Sequence, residues 1–306
     1  MTGKIYVPPI KIQGIKTKLV PIIRENVVVN RHTIWIEPFM GSGVVGFNLE
    51  PERAVFSDLN PYVIDFYNQL NSGAVTSYIV RGFLEQEGEE LARYDEAYYY
   101  EVRERFNRDR NPLDFLFLNR SCFNGMIRFN RENQFNVPYG HKPQRFSKAY
   151  VTKIVNQVRH VEELLSRHDW VFLCQPFEES LPKVPDQAFI YCDPPYIGRH
   201  VDYYDSWEYA DEVRLRQCLT ASGAKYMVST WDHNCYRRNE YIQNVWGQCH
   251  KRNIDHFYHV GAREKNRNAM TEALLTNYPM TGQGNSLQRQ REAVQLSLDF
   301  SPTVTV

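Results

Sequence analysis

A chain of 306 residues, of which 42% are hydrophobic and 14% aromatic, can bury the core of one large α/β domain or of a domain with a smaller companion. Its 36 basic and 36 acidic residues exclude a global positive field. Any contact with nucleic acid must therefore come from local patches.

The cysteines and the apolar runs indicate the compartment. The six cysteines include no C-x-x-C pair and no zinc-ligand spacing, which predicts free thiols and no bound metal. No apolar segment near the N-terminus has the form of a secretion signal, and no run reaches the length of a membrane span. We therefore expect a cytoplasmic protein without a membrane partner.

A basic segment opens the chain. Residues 8–20 place three lysines around Gly14, namely Lys11, Lys16 and Lys18. This arrangement predicts a tight turn followed by a helix over residues 17–27. A solvated basic start is the alternative.

The next segment predicts the first unit of a nucleotide-type α/β fold. A strand over residues 33–37 runs into a turn that contains Gly41 and Gly43, and glycines there let a ligand approach the backbone closely. A second strand over residues 53–57 ends at Asp58. An acid at this point grips the hydroxyls of a cofactor ribose in such folds, and a helix-capping aspartate is the alternative.

The character of the sequence changes after helices that we predict over residues 74–106 and from Pro112. Between residues 120 and 148 there are six Lys or Arg residues and one acid, Glu132. Asparagine and arginine make bidentate contacts to adenine and guanine edges, and the interleaved aromatic residues can wedge or stack. We therefore predict a DNA-recognition segment here; a basic surface loop packed by its own aromatics is the alternative.

A second strand-to-loop transition carries the predicted chemistry. After a helix capped by Ser147 and a strand over residues 170–174, the apolar run 188–192 stops at Asp193-Pro194-Pro195-Tyr196. The prolines end the strand and fix the position of the tyrosine. A carboxylate, a rigid carbonyl and an aromatic face then meet at the carboxyl end of a strand, where open α/β sheets place their sites. This set suits holding a planar amino group while its nitrogen is alkylated.

The remaining chain continues the alternation and ends in a tail. Residues 203–209 predict a mobile lid, residues 211–220 a helix, and residues 225–230 and 273–276 strands. The basic segment 251–268 fits a clamp on backbone phosphates or a solvated hairpin. From Met280 the chain holds little core material, which predicts disorder. Near its end, the hexapeptide from Gln295 to Phe300 is similar to the motif by which bacterial replication proteins dock on the sliding clamp.

Three of these motifs, taken in order, resemble the Dam-type family of DNA adenine-N6 methyltransferases, in the group whose target-recognition segment lies between the cofactor motif and the catalytic motif. They are Glu37-Pro38-Phe39-x-Gly-x-Gly43, Asn124-Gly-x-x-Arg128-x-Asn130 with Phe135-Asn-Val-Pro138, and Asp193-Pro-Pro-Tyr196. The resemblance covers residues 8–278. It implies methyl transfer from S-adenosyl-L-methionine to N6 of an adenine in double-stranded DNA. Because N6 is buried in the stack, we expect the adenine to be flipped out.

The resemblance also implies roles for individual residues. The catalytic residues expected from it are Asp193, Pro194, Pro195 and Tyr196. Contacts to the cofactor are expected from Ile12, Lys16, Glu37, Phe39, Gly41, Gly43, Asp58, Glu178 and Asp193. Contacts to DNA are expected from Lys11, Arg120, Asn124, Arg128, Asn130, Pro138, Tyr139 and His141. Two positions depart from the pattern: Ile12 replaces an aromatic, and His141 replaces the arginine of Dam proteins that read GATC, which leaves the target sequence open.

The expected fold is α/β, a doubly wound, mostly parallel, seven-stranded Rossmann-like methyltransferase sheet with an inserted, mainly helical DNA-recognition domain. The expected divisions are residues 1–70 for the cofactor-binding part, 71–165 for the insertion, 166–279 for the catalytic part and 280–306 for a flexible tail. We expect a monomer that associates with the nucleoid through DNA. Two alternatives stay open: methylation of RNA or of a protein amide, and a DNA-binding module without catalysis.

Overall fold

The computed structural model describes residues 4–182, 184–185, 187–197, 207–257 and 269–281. Its strands are β1 (Ile34–Glu37), β2 (Arg53–Asp58), β3 (Asp169–Cys174), β4 (Ala188–Cys192), β5 (Lys225–Asn234), β6 (His250–Phe257) and β7 (Ala269–Thr276). They form one sheet in the order β3-β2-β1-β4-β5-β7-β6. The predicted α/β class with a mostly parallel seven-stranded sheet is confirmed.

The helices of the described residues are α1 (Val20–Asn26), α2 (Val44–Leu49), α3 (Pro61–Asn71), α4 (Ser77–Tyr94), α5 (Glu96–Asp109), α6 (Pro112–Ser121), α7 (Lys148–Leu165), α8 (Phe177–Ser180), α9 (Tyr209–Ala221) and α10 (Tyr241–Trp246). Two of them begin with an asparagine cap followed by proline. Asn60 accepts hydrogen bonds from backbone N–H groups of α3, and Asn111 does the same for α6. These caps fix where both helices start.

β1 lies inside the parallel part of the sheet, between β2 and β4. β2 also pairs with β3 and β4 with β5 in parallel, whereas β6 and β7 form an antiparallel pair. Every residue of β4 is buried, as expected for a strand covered on both faces. Because the chain order reverses between β1 and β4, the loops that follow these two strands open side by side at the carboxyl edge, where such sheets bind ligands.

Aromatic packing holds the first helix after β1 against the sheet. The ring of Phe47 in α2 stacks on Trp170 in β3, with centroids 5.3 Å apart, and meets Phe56 in β2 edge to face at 5.3 Å. A Cβ added to Gly46 would lie 2.3 Å from the Phe56 ring, so only glycine lets α2 approach β2 this closely. Each buried ring contributes about 2 kcal/mol. This packing fixes the turn between β1 and α2.

A buried ion-pair network ties the inserted helices together. Arg105 of α5 donates to both carboxylate oxygens of Asp114, at 2.9 and 2.5 Å, and to Glu87 of α4 at 2.7 Å. The two carboxylate side chains are 2% and 6% exposed. Charged groups this deep in a protein require such partners.

The described chain forms two compact units, Met1–Val228 and Ser229–Val306, whose boundary falls within β5. The inserted helices belong to the first unit. The divisions predicted at residues 70, 165 and 279 stay predictions.

Several element predictions differ from the structure for local reasons. α1 begins at Val20, three residues after the predicted start. The stretch predicted as helical over residues 74–106 is broken at Asp95, whose φ of 48° is left-handed. Ser147 precedes α7 but makes no capping hydrogen bond with its side chain. β6 is not predicted because its described side chains are exposed or half-buried and give no apolar alternation.

Parts of three predicted segments lie outside the described residues. They are residues 203–206 of the lid, residues 258–268 of the basic clamp, and the tail from residue 282, which includes the hexapeptide.

Candidate active site

The turn between β1 and α2, called the glycine turn (residues 38–43), depends on backbone conformations that favour glycine. Gly41 has a φ of 50° and Gly43 a φ of 76°. A Cβ added to Gly43 would lie 2.6 Å from the Phe47 ring. A Cβ added to Gly41 would meet Ile12 at 3.7 Å, which places the side chain of this predicted cofactor residue against the turn. The glycines thus expose backbone at the carboxyl edge of the sheet.

Asp58, the last residue of β2, is joined to the glycine turn. Its Oδ2 accepts from the Gly41 N–H at 2.9 Å, and its Oδ1 accepts from the Asn60 N–H at 2.9 Å. Burial raises the pKa of this carboxyl, although these hydrogen bonds oppose the rise. Each oxygen retains acceptor capacity for a further hydroxyl.

Glu37, the last residue of β1, is buried, with 2% of its surface exposed. Its Oε2 accepts from the Trp35 indole at 2.8 Å and from the Gly46 N–H at 3.1 Å. Burial raises the pKa of Glu37 to about 8. Its hydrogen bonds go to β1 and α2, so in this structure it supports the glycine turn from below.

The loop that follows β4, called the catalytic loop (residues 193–196), is linked to the basic N-terminal segment. Lys16 Nζ lies 3.0 Å from Asp193 Oδ2 and 5.0 Å from the centroid of the Tyr196 ring. The same amine donates to the Gly14 carbonyl at 2.7 Å. Lys16 is 5% exposed. A buried cation therefore connects the predicted catalytic acid, the predicted stacking ring and the N-terminal turn.

An aromatic cluster lies beside the glycine turn. Phe39 packs against Phe177 of α8 and against Trp207, with ring centroids 5.5 Å apart in both pairs. Trp207 lies in the predicted lid, two residues before α9, and was not among the predicted site residues. Glu178, predicted to contact a cofactor, forms an ion pair with Arg214 of α9 at 3.3 Å. Its carboxylate is thus engaged on the outer side of α8.

The DNA-recognition segment forms a loop, called the recognition loop (residues 122–141), which is held at both ends. The Phe123 N–H donates to the Pro138 carbonyl at 2.9 Å, and Cys122 pairs with Tyr139 in an antiparallel bridge. Asn124 is exposed and has a left-handed φ of 54°. Phe123, which the prediction omitted, is 50% exposed beside it. The signal that sequence reasoning could have used is an aromatic residue next to a motif asparagine in a basic segment.

The tip of the recognition loop is a hairpin, and its polar side chains shape it. The Asn130 side-chain oxygen accepts from the N–H groups of Glu132 and Gln134, at 3.0 and 2.9 Å. Arg128 donates through Nε to the Asn136 side chain at 2.8 Å. Asn130 thus builds the turn, whereas Arg128 is half-buried on the loop with further N–H donors.

Two predicted DNA contacts are buried in this structure. Arg120 is 6% exposed and donates to the Pro9 carbonyl and to the Gln157 side chain. Tyr139 is 2% exposed and stacks on Tyr99 at 5.1 Å. Neither side chain presents a surface to a duplex in this conformation, because Arg120 is bonded to the N-terminal segment and to α7, and Tyr139 packs on α5. The exposed members of the predicted set are Asn124, Pro138 and His141.

Lys11 lies against the base of the recognition loop. Its backbone N–H and carbonyl pair with the Asn119 side chain, at 2.8 and 2.9 Å. A Cβ on Gly125 would lie 2.8 Å from the Lys11 side chain, so glycine makes room for it. Burial and the nearby charges of Arg120 and Arg145 lower the pKa of Lys11 to about 8.

All six cysteines are free, as predicted, and burial raises the pKa of Cys122 to about 12. In the described part of the chain, no group of three or more His, Cys, Asp and Glu residues could hold a metal ion. The helices of those same residues are all too short or too polar to cross a membrane.

An acid-proline-proline-tyrosine loop after β4 and a glycine turn after the neighbouring strand β1, in a seven-stranded α/β sheet, are the arrangement that the sequence predicts for an enzyme that alkylates a planar amino group. The particular family follows from comparison with known proteins. Residues 13–266 match the family model of the D12 class N6 adenine-specific DNA methyltransferases, and the chain belongs to this family.

Curated relatives agree with this assignment. Type II methyltransferase M1.LlaDCHI of Lactococcus lactis subsp. cremoris is 27% identical over 290 residues, which cover 89% of this chain and 95% of that protein. The DNA adenine methylase of Haemophilus influenzae is 33% identical over 176 residues, 55% of this chain and 56% of that protein. Type II methyltransferase M.MjaIII of Methanocaldococcus jannaschii is 29% identical over 251 residues, 72% of this chain and 83% of that protein. The predicted family and enzyme class, an adenine-specific DNA methyltransferase, are confirmed.

Proposed function

We propose that this DNA methyltransferase uses S-adenosyl-L-methionine as its methyl donor and acts on an adenine flipped out of the duplex. The observation that carries the proposal is the adjacency of the glycine turn and the catalytic loop at the ends of the paired strands β1 and β4. Their side-by-side position supports one site that holds a donor and an acceptor together.

The residues beside the glycine turn fit the donor. The Asp58 carboxylate retains acceptor capacity for ribose hydroxyls. Phe39 offers a half-buried ring within an aromatic cluster for a purine. Lys16 supplies a buried cation that suits a carboxylate. When bound, S-adenosyl-L-methionine supplies an electrophilic methyl group on a sulfonium.

The catalytic loop fits the amino group of adenine. Asp193 and the Pro194 carbonyl would accept hydrogen bonds from its two N–H groups, which would turn the nitrogen lone pair out of conjugation with the ring and towards the methyl group. As the N–C bond formed, the bond from that carbon to the donor sulfur would break, and the nitrogen would then release one of its protons. Tyr196 would stack on the extruded base. The chain thus contributes orientation and electrostatics rather than a strong base.

The exposed face of the recognition loop fits the duplex. Phe123 and Asn124 form an exposed aromatic and amide pair on a bridged turn, which suits insertion at the position left by the flipped base. Arg128 retains donors for a base edge. Asn130 shapes the recognition loop by its hydrogen bonds and Tyr139 by packing on Tyr99, while Arg120 fixes the end of α6 that precedes the loop.

Transfer of tritium-labelled methyl groups tests the proposal. The full chain with labelled S-adenosyl-L-methionine is offered duplex DNA, structured RNA and protein in parallel. We expect acid-stable label in duplex DNA, and long-read sequencing of DNA from expressing cells should identify the methylated adenine and its sequence context. Label found only in RNA or only in protein would show that this molecule, and not duplex DNA, is the substrate. A duplex that binds but gains no label would support a DNA-binding module without catalysis.

The tail carries a separate proposal, docking on a sliding clamp through the hexapeptide from Gln295 to Phe300. Deletion of residues 295–306 should abolish clamp pull-down and leave methylation of short duplexes unchanged. Equal pull-down by the truncated chain would refute the docking. We also propose that the enzyme acts as a monomer on DNA in the cytoplasm, which light scattering and fractionation of cells can check.

A further inference from the structure

The second unit contains a turn at the end of β5, called the arginine turn (residues 234–238), which is not part of the predicted active site. The turn is closed by its own backbone and side-chain bonds. The Asn234 side-chain oxygen accepts from the N–H groups of Tyr236 and Arg237, at 2.9 and 2.8 Å. His233 and Arg238 then pair as an antiparallel bridge. The tip is therefore a defined turn of the Asx kind.

The residues that this turn displays are unusual for a solvated tip. Tyr236 is 76% exposed, and Cys235, Arg237 and Arg238 are exposed as well. Short turns ordinarily carry glycine, asparagine, aspartate or serine at such positions. Here the sequence instead presents an aromatic ring next to two adjacent cations, with no acid from Asn234 to Asn239.

The two arginines are not committed to ion pairs among the described residues. Other arginines of the chain are: Arg105 is bound to two carboxylates and Arg214 to Glu178. An unpaired cation on a fixed turn keeps its N–H donors for an external anion, and the guanidinium fork matches phosphate geometry.

A buried network braces the base of the turn. Asp232 is 3% exposed and accepts from His233 Nδ1 at 2.6 Å, from Lys251 Nζ at 2.9 Å and from Asn253 Nδ2 at 3.1 Å. Burial alone would raise the pKa of Asp232, but the hydrogen bonds from Lys251 and His233 outweigh it and lower this pKa. The carboxylate thus holds β5, β6 and the turn together as a charged anchor.

The exit of the turn is fixed in the same way. Asn239, which is 6% exposed, donates through its backbone N–H to the Asp232 carbonyl at 2.7 Å and through its side chain to the Trp231 carbonyl at 2.9 Å. The bracing holds the exposed tip in one conformation, which lowers the entropy cost of binding.

We propose that the arginine turn is a second DNA-binding surface, separate from the recognition loop, which grips the phosphate backbone of the duplex. Arg237 and Arg238 contact phosphates, and Tyr236 packs on the sugar-phosphate chain between them. Phosphate contacts position a protein on DNA and carry no sequence information. The turn therefore contributes affinity and orientation, while the choice of sequence stays with the recognition loop. This inference rests on the proposed action of the enzyme on duplex DNA.

Salt-dependent binding of the full chain to a defined duplex tests the inference. Each lost phosphate contact lowers the slope of log affinity against log salt by about 0.9, so the double variant Arg237→Ala/Arg238→Ala should lower it by about 1.8. Affinity near 0.1 M salt should fall roughly tenfold or more, and the methylated sequence should not change. Tyr236→Ala should weaken binding without altering the slope.

The matched control removes the same charge in the first unit, at the amino edge of its strands and away from the glycine turn and the catalytic loop. Arg31 and Arg167 are exposed and precede β1 and β3, so Arg31→Ala/Arg167→Ala should leave both slope and affinity unchanged. Thermal melting of both double variants checks that the fold is kept. A wild-type slope in the arginine-turn variant would overturn the inference. A wild-type chain that binds DNA with this slope but transfers no methyl group would instead refute the proposed function alone.

Discussion

The carboxyl edge of the sheet and the recognition loop use their motif residues differently. At the edge, Asp58 and Asp193 lie where strands end: Asp58 accepts from the Gly41 N–H of the glycine turn, and Asp193 pairs with Lys16. In the recognition loop and at the end of α6 that precedes it, internal bonds and packing use Asn130, Tyr139 and Arg120. Motif residues at the ends of strands therefore leave atoms available for a ligand. Motif residues in and beside a long loop include some that only give the loop its shape.

The largest expected effect is at the edge, for Asp193→Asn. The substitution removes the negative charge that pairs with Lys16 and that would accept a hydrogen bond from the amino group of adenine. We therefore expect the rate of single-turnover methyl transfer to fall by about 1,000-fold. The matched control is Asp169→Asn, an exposed acid that begins β3 at the opposite end of the sheet. Thermal melting should show both variants folded. Turnover within tenfold of wild type would remove Asp193 from the catalytic residues.

The ion-pair network of α4, α5 and α6, the helices that precede the recognition loop, can be broken at Arg105. Arg105→Ala leaves Glu87 and Asp114 buried without their cation, which should lower the free energy of unfolding by about 3–5 kcal/mol. Arg81→Ala, which removes an exposed pair with Glu85, should cost less than about 1 kcal/mol. Urea unfolding measures both. Equal midpoints for the two variants would contradict the structural weight given to the buried network.

The two regions also differ in what the sequence could predict. The glycine turn, the cap at Asn60 and the proline-stiffened catalytic loop follow from local backbone rules, so residues close in sequence determine them. The end of α6, just before the recognition loop, depends on partners more than 100 residues away: the Asn119 side chain pairs with the Lys11 backbone, and Arg120 donates to the Pro9 carbonyl. No local pattern reveals such pairs, so the buried position of Arg120 could not be predicted from the sequence. Trp207 and the bond of Glu178 to Arg214 escaped prediction for the same reason.

Glu37 provides a pH test of the edge. Its pKa is raised by burial to about 8, so between about pH 4.5 and 8 the unfolded chain ionises this carboxyl while the folded chain keeps it protonated. Stability is therefore lost as the pH rises through this window and levels off above it. Relative to Glu37→Gln, wild type should lose about 3 kcal/mol from pH 5 to pH 8. Denaturant unfolding of both proteins at each pH gives this difference, and a constant difference would show that Glu37 is ionised in the fold.

The smallest expected effect distinguishes Arg128, which we propose contacts a base, from Arg120, which supports the structure from the end of α6. Arg128 is half-buried, and Asn136 takes only part of its donor set, so Arg128→Ala should lower discrimination between target and altered duplexes by about 1–3 kcal/mol. Cofactor affinity should not change. Arg120→Met should instead lower thermal stability and keep the preferred sequence, because the side chain is buried against Pro9 and Gln157.

Competition between duplexes that differ at one base pair of the target measures discrimination for both variants. The comparison of the two regions requires that the effects separate. If Arg120→Met relaxed the sequence preference while the protein kept its melting temperature, the buried arginine would be a reader that reaches DNA by rearrangement. If Arg128→Ala kept the sequence preference, base recognition would be assigned to the exposed residues Asn124, Pro138 and His141. Arg128 would then, like Asn130, serve to shape the hairpin.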